Sequence, residues 1–317
     1  MEEIIRTVDL TKQFGNKVIV DRVSLSVKKG EIYGFLGLNG AGKTTTIRAL
    51  LGMSKPSSGE VYLFGQRWTN KNTDLSRRVG YMVEVPYAYP NFTVRENLNL
   101  MARLRGLSVP RAVNEIMEKL NLTQYADSKA RDLSLGNAQK LGLAKALIHK
   151  PDVLILDEPT NALDPAGIVE VREMLKALAS QHGVTVFISS HILEEMSKLA
   201  SRIGIIHKGV LLEELTTKDF ETIRRKQLMI VTKDARKAQA ILSDSGYGVH
   251  PTLNNCLALS DDHAVKHPEH IAKLLVHQGV PLTMLKIEEE NLESYFLKSI
   301  GIEGGKSNET VVDSLQR

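Results

Sequence analysis

Gly37-Leu38-Asn39-Gly40-Ala41-Gly42-Lys43-Thr44 fits the phosphate-loop pattern G-x-x-x-x-G-K-[ST]. Just upstream, Glu31-Ile32-Tyr33-Gly34-Phe35-Leu36 is short, apolar and bounded by Gly30, which predicts a buried strand. Downstream, Thr44 to Leu51 predicts a helix. An ordinary glycine-rich turn could carry a lysine, but strand, loop and helix in that order give the pattern physical content. The loop's backbone N–H groups wrap a phosphate, and the helix N-terminus adds partial positive charge. Lys43 is placed to reach the β- and γ-phosphates, and the Thr44 hydroxyl to ligate Mg²⁺. Gly37, Gly40 and Gly42 let the backbone approach the anion without Cβ clashes.

A second acidic element lies downstream. Val153-Leu154-Ile155-Leu156-Asp157-Glu158 is an apolar run ending in two carboxylates. Such a run predicts a strand buried on both faces of a parallel sheet, with ligands at its carboxyl end. Asp157 is placed to hold Mg²⁺, as the Walker-B aspartate does. Glu158, one residue on, could polarise an attacking water. Three more elements follow the same logic. Leu133-Ser134-Leu135-Gly136-Asn137 precedes a helical pattern from Ala138 to Ile148, so Ser134 reads as an N-cap that can also meet an anion. Asn161-Ala162-Leu163-Asp164 follows the acidic strand, and His191 ends another apolar run, Thr185 to Ser190.

Taken in order over roughly residues 3–215, these motifs make the chain resemble the ATP-binding subunit of an ABC transporter. The resemblance implies an α/β P-loop ATPase with a mixed sheet core and a helical subdomain. It implies ATP held by Asn39, Gly40, Gly42, Lys43, Thr44 and Thr45, with Phe14 of Lys12-Gln13-Phe14-Gly15 stacking on adenine. Ser134 and Gly136 belong to the signature motif, Asp164 to the D-loop, and His191 is the switch histidine that contacts the γ-phosphate. Glu158 and His191 are the implied catalytic pair, and Thr44, Asp157 and Glu84 the implied Mg²⁺ ligands, directly or through water.

The departures from the family pattern narrow it further. Leu135 and Asn137 stand where the signature has Gly and Gln, and Leu135 adds bulk near the nucleotide. In Gly80-Tyr81-Met82-Val83-Glu84-Val85-Pro86, Glu84 replaces the usual Q-loop glutamine. A carboxylate there suits a divalent cation. The Glu version, followed by Tyr89-Pro90-Asn91-Phe92-Thr93 and Glu96-Asn97-Leu98, is similar to the bacitracin-transport and lantibiotic-immunity branch.

Composition sets the limits. A hydrophobic share of 42% with 25% charged residues is that of a globular chain, and 317 residues suffice for about two domains. No apolar run approaches the roughly 18–20 residues that cross a bilayer. Met1-Glu2-Glu3 lacks the basic start of a signal peptide. The single cysteine, Cys256, excludes an internal disulfide. A net charge of +4 is too small and dispersed to argue for nucleic acid.

The pattern divides near residue 216. The nucleotide-binding domain spans 1–216, with a mainly helical insert at about 86–150 opened in part by Pro110. Residues 217–226 read as a linking helix. Residues 227–300 read as a small α+β domain: strand Leu228–Val231, helix Ala235–Ser243, a weak strand near Tyr247–Pro251, strand Cys256–Leu259, helix Pro268–His277, strand Pro281–Ile287 and helix Asn291–Ser299. That order fits a ferredoxin-like unit. It carries no phosphate loop, and its histidines between 250 and 277 read as too scattered for a zinc site. Residues 301–317 are glycine-rich and polar and read as disordered.

One motif set and no membrane segment imply partners; the resemblance implies that these are an integral membrane permease and a second ATPase subunit, head to tail, at the cytoplasmic face of the plasma membrane. Other classes fit less well. A chromosome-maintenance ATPase would insert a long heptad coiled coil, and 45–133 is too short. A translation-factor ATPase would carry two motif sets. A non-exporting immunity or regulatory subunit remains the alternative that Glu84 and Leu135 keep open.

Overall fold

The computed structural model describes residues 2–69, 73–84, 86–252 and 256–301. Its strands are β1 (Glu3–Phe14), β2 (Lys17–Val23), β3 (Ser26–Lys28), β4 (Ile32–Leu36), β5 (Ser58–Leu63), β6 (Gln66–Arg67), β7 (Val79–Met82) and β8 (Val153–Asp157). They continue as β9 (Thr185–Ser190), β10 (Arg202–His207), β11 (Val210–Thr216), β12 (Lys226–Thr232), β13 (Val249–Pro251), β14 (Cys256–Leu259) and β15 (Leu282–Glu289). The helices are α1 (Lys43–Leu50), α2 (Thr73–Arg77), α3 (Val94–Leu104), α4 (Val109–Lys119), α5 (Leu135–Leu147) and α6 (Pro165–His182). After them come α7 (Leu193–Leu199), α8 (Thr217–Ile223), α9 (Ala235–Asp244), α10 (Asp262–Lys266), α11 (Pro268–His277) and α12 (Leu292–Ser299). The described residues form two compact units, 2–217 and 218–301.

The first unit is built on a mixed sheet in the order β11-β10-β4-β9-β8-β7. Its five strands from β10 to β7 pair in parallel, and β11 closes the edge antiparallel to β10. Every residue of β4, β8 and β9 is buried, as continuous apolar runs in a two-sided parallel sheet require. Phe187 on β9 anchors this layer, 5.5 Å from the Tyr33 ring and 5.3 Å from that of Phe35. A second, antiparallel sheet joins β1 to β2, β3 and β5.

Register decides where chemistry can happen. Leu36 on β4 pairs with Ser190 on β9, and Ser189 with Asp157 on β8. Three neighbouring strands thus end at one level, and the loops that leave them converge there. Between β7 and β8 the chain is helical. Thr93 and Glu96 form a reciprocal capping box at the start of α3. In α4, Val113, Ile116 and Met117 turn one buried face inward. No helix among the described residues is long and apolar enough to cross a membrane.

The second unit has one sheet, β13-β14-β12-β15, with every pairing antiparallel. Leu228, Ile230, Leu242, Leu257, Ile271 and Leu275 fill its core. Two sequence expectations need correction here. The linking helix expected to reach residue 226 stops at Ile223, because Lys226 opens β12 opposite Glu289 and its ammonium bonds that carboxylate at 2.8 Å. The strand expected at Pro281–Ile287 runs Leu282–Glu289 for the same cross-strand reason. Helix α10 was not anticipated; Asp261 caps it, its side chain accepting from the N–H groups of His263 and Ala264. The expectation of a disordered tail concerns residues that, from 302 on, lie outside the described ones.

Candidate functional site

The loop after β4 folds back over the sheet edge and feeds α1. Gly42 is the N-cap of α1, with φ +108, and a Cβ there would sit 2.8 Å from the Ile19 carbonyl oxygen. A Cβ at Gly37 would meet the Ile206 carbonyl oxygen at 2.6 Å. Any side chain at either position would push the loop off its neighbours. Lys43 is buried, and its ammonium donates to the carbonyl oxygens of Gly37 at 2.7 Å and Leu38 at 3.3 Å. It also lies 3.3 Å from Glu158 Oε1.

Asp157 is buried at the end of β8. One carboxylate oxygen accepts from the Thr44 hydroxyl at 2.7 Å, the other from the Ser189 hydroxyl at 2.6 Å. Glu158 follows it in the left-handed region, φ +50, a conformation that costs a non-glycine residue on the order of 1 kcal/mol. The fold holds it there from three sides. Its N–H donates to the Ser189 carbonyl and hydroxyl oxygens, and its own carbonyl accepts from Gln139 Nε2 at 3.1 Å. The Glu158 carboxylate then meets both His191 Nδ1, at 2.7 Å, and the His191 N–H, at 3.3 Å. Burial pushes this carboxyl up, but the hydrogen bond from His191 and the charge of Lys43 outweigh burial and hold it below the usual glutamate range. A charged carboxylate is thus kept, against its burial, beside the phosphate loop.

Lys43, Thr44, Asp157, Glu158 and His191 are therefore one connected cluster. Ser189 and Gln139 complete it, and sequence reading had assigned them no role. Their signal was faint: a hydroxyl pair closing an apolar strand, and a glutamine that is buried inside a helix.

The remaining candidates lie elsewhere. Ser134 caps α5 by accepting from the Asn137 N–H at 3.3 Å, and Asp164 caps α6 by accepting from Gly167 N–H at 2.9 Å. Both are exposed, and a Cβ on Gly136 would stand 3.1 Å from the Ala162 carbonyl oxygen, so the two caps border one surface. The hydrogen bonds fixing Ser134 share no residue with those fixing Lys43. Leu135 is 76% exposed, so its extra bulk faces solvent. Asn39 and Gly40 form the exposed crest of the phosphate loop, and Thr45 is half-buried in α1. Phe14 is exposed at the β1–β2 turn, with the Lys12 ammonium 4.7 Å from its ring centre. Glu84 has φ +56, and its half-exposed carboxylate binds Arg48 of α1 at 2.8 Å rather than sharing the Thr44–Asp157 pair.

A phosphate loop on a parallel sheet, an aspartate on its threonine and a strained glutamate held by a histidine define an ATPase site of the ABC type. Residues 20–161 match the ABC transporter family profile. The chain is 42% identical to the bacitracin transport ATP-binding protein BcrA of Bacillus licheniformis, over 95% of this chain and 98% of that one. It is 39% identical to BcrA of Enterococcus faecalis, over 95% and 97%. It is 36% identical to the lantibiotic transport ATP-binding protein SrtF of Streptococcus pyogenes, over 67% and 90%. Among solved structures, an ATP-binding subunit of an ABC transporter superposes with TM-score 0.64 at 27% identity, covering 69% of this chain and 92% of that one. The dimeric bacterial cassette MJ0796 superposes with TM-score 0.63 at 26% identity, covering 68% and 99%. The chain belongs to the ABC transporter ATP-binding family; it is an ATP-binding subunit of such a transporter and an ATPase.

Proposed function

We propose that this chain drives a separate integral membrane permease, and that the pair expels a peptide antibiotic of the bacitracin or lantibiotic kind. The observation that carries the energy-coupling half is the Lys43–Glu158–His191 chain standing beside Thr44–Asp157–Ser189. The cargo half rests on relatives named for bacitracin transport that align along 95% of the chain.

In this reading the Thr44 hydroxyl and Asp157 carboxylate would hold Mg²⁺. Two oxygen donors already 2.7 Å apart suit a hard cation, whose charge would offset that of the phosphates. Lys43 turns from Gly37 and Leu38 to the β- and γ-phosphates. Glu158 takes a proton from the attacking water, and His191 keeps it anionic and oriented. Rate enhancement comes from positioning and charge rather than covalent chemistry. Phe14 supplies a free ring face for adenine. Ser134, exposed, and Gly136, half-buried, fit a second copy's γ-phosphate in a head-to-tail pair, with Asp164 tying the halves; the related MJ0796 cassette is dimeric. The pair works at the cytoplasmic face of the plasma membrane, held there by the permease. The unit that follows the 1–216 nucleotide-binding domain reads as a ferredoxin-like accessory domain over 227–300, supported by its strand order and antiparallel pairings.

The test is co-expression with the permease in a sensitive Gram-positive host, measuring growth inhibition by bacitracin and by a lantibiotic. We expect several-fold higher tolerance to one of them. Unchanged sensitivity to both, with phosphate release intact, would remove the cargo assignment and leave the ATPase.

Glu84 allows a narrower prediction. It borders a cavity of about 340 Å³ with Arg48, Tyr81, Tyr87 and Lys145. Acting on Mg²⁺ would require its carboxylate to leave Arg48. The Glu84–Arg48 pair is half exposed, so its loss costs roughly 0–1 kcal/mol of stability. Glu84→Ala should therefore stay folded and bind ATP, yet transport less, while Glu84→Gln keeps substantial transport. Wild-type tolerance in the alanine variant would reduce Glu84 to a surface carboxylate.

A further inference from the structure

The second unit carries a side-chain cluster that the ATPase reading does not use. Sequence spacing made the histidines between 250 and 277 look scattered, but the fold gathers three of them. His263 sits in the first turn of α10, and His267 closes that helix one turn later. Pro268 starts α11 at once, and the His270 N–H bonds back to the His267 carbonyl at 3.0 Å. A helix turn followed by a proline break thus puts all three imidazoles side by side. Ring centres are 5.1 Å apart for His263 and His267, 5.5 Å for His263 and His270, and 5.2 Å for His267 and His270.

Glu269 completes the group. Its Oε1 is 3.3 Å from His267 Nδ1 and 3.9 Å from His270 Nε2. Ligand atoms of His267, Glu269 and His270 all lie within 4.8 Å of one another. A tetrahedral ion with bonds of about 2.1 Å needs its ligands about 3.4 Å apart. The gap is closed by small χ rotations, which exposed side chains make freely. His263 Nδ1 lies 3.5 Å from the Tyr247 hydroxyl, leaving Nε2 for a ligand bond. A partner on the second ring nitrogen is how metal-bound histidines are commonly oriented. No core is gained by crowding three exposed imidazoles. A shared cation is what turns that crowding into a stabilising contact.

We propose that His267, Glu269 and His270 form a binding site for a divalent transition metal of the zinc class, with His263, whose ring centre is 5.1 Å from that of His267, swinging in as the fourth ligand and pinning α10 to α11 across Pro268. Three imidazoles and one carboxylate are a borderline donor set that suits Zn²⁺ and its neighbours rather than Mg²⁺ or Ca²⁺. All four residues belong to the second unit.

The test uses the full chain without a histidine tag, stripped with chelator and free of nucleotide. Co²⁺ is titrated alone and followed by its visible absorbance, then displaced with Zn²⁺. We expect saturation at one ion per chain. His267→Ala and His270→Ala should each weaken it at least 10- to 100-fold, the range already seen for residues that only support metal ligands. Hydrogen exchange across 261–277 should slow on adding Zn²⁺ in the wild type and not in these variants. ATP binding and circular dichroism should be unchanged in every variant, because the ligands are exposed. Absence of saturable binding, or equal affinity in a His263→Ala/His267→Ala/His270→Ala variant, overturns the site.

Discussion

Glu158→Gln is expected to lower steady-state phosphate release by about 10²- to 10⁴-fold, the usual contribution of a positioned general base, while nucleotide binding stays close to wild type. The amide keeps the length and shape of the side chain, and its oxygen can still face His191 Nδ1. It loses the charge and the capacity to take a proton from water. The site is arranged around that charge: His191 and Lys43 lie 2.7 and 3.3 Å from the carboxylate and keep it ionised against burial. The glutamate's backbone is held at φ +50 by Ser189 and Gln139, so the substitution should not disturb the turn. Phosphate release and nucleotide binding measured on one preparation separate the two effects. Turnover near wild type would remove Glu158 from the chemistry.

What the sequence disclosed and what it hid follow one rule. The strands were visible because Val153–Leu156 and Thr185–Ile188 are buried on both faces, and two-sided burial writes an unbroken apolar run. The phosphate loop was visible because close backbone approach admits glycine alone at Gly37 and Gly42. Most of the hidden features depend on partners distant in the chain. The pairing of Leu36 with Ser190 and of Asp157 with Ser189 is a sheet property, and it brings the five acting side chains together. Gln139 donates to the backbone carbonyl of Glu158, a residue just past another element and in the left-handed region. The family resemblance makes Glu84 a cation ligand, yet Arg48 on another element takes its carboxylate. The end of α8 was misplaced because Lys226 belongs to a strand whose partner, Glu289, comes much later. The histidines seemed dispersed because a proline break, not a regular period, aligns them.

Lys43→Ala is expected to weaken nucleotide binding about 10- to 100-fold, since a charge-assisted contact contributes roughly 1.5–3 kcal/mol. Lys43→Met is the sharper variant, because it keeps the aliphatic stem that fills the buried channel and removes only the ammonium. The structure shows why that ammonium is available. It is buried against two loop carbonyls and one carboxylate, contacts that a phosphate can replace without leaving an unpaired charge. The substitution also reaches Glu158, which keeps its hydrogen bond from His191 but loses the Lys43 ammonium. Its carboxyl is held below the glutamate range in the folded chain, so its contribution to stability is full above the ordinary glutamate pKa. That contribution is lost as pH falls through the folded value. Without Lys43 the folded value moves up toward the unfolded one, and the acid-side loss of stability becomes shallower. Nucleotide titration reads the first effect, and chemical denaturation across the acid range reads the second. If Lys43→Met binds ATP as the wild type does, the loop's backbone holds the phosphates without the ammonium. If the acid-side slope is unchanged, the Lys43–Glu158 contact does not set the carboxylate's charge.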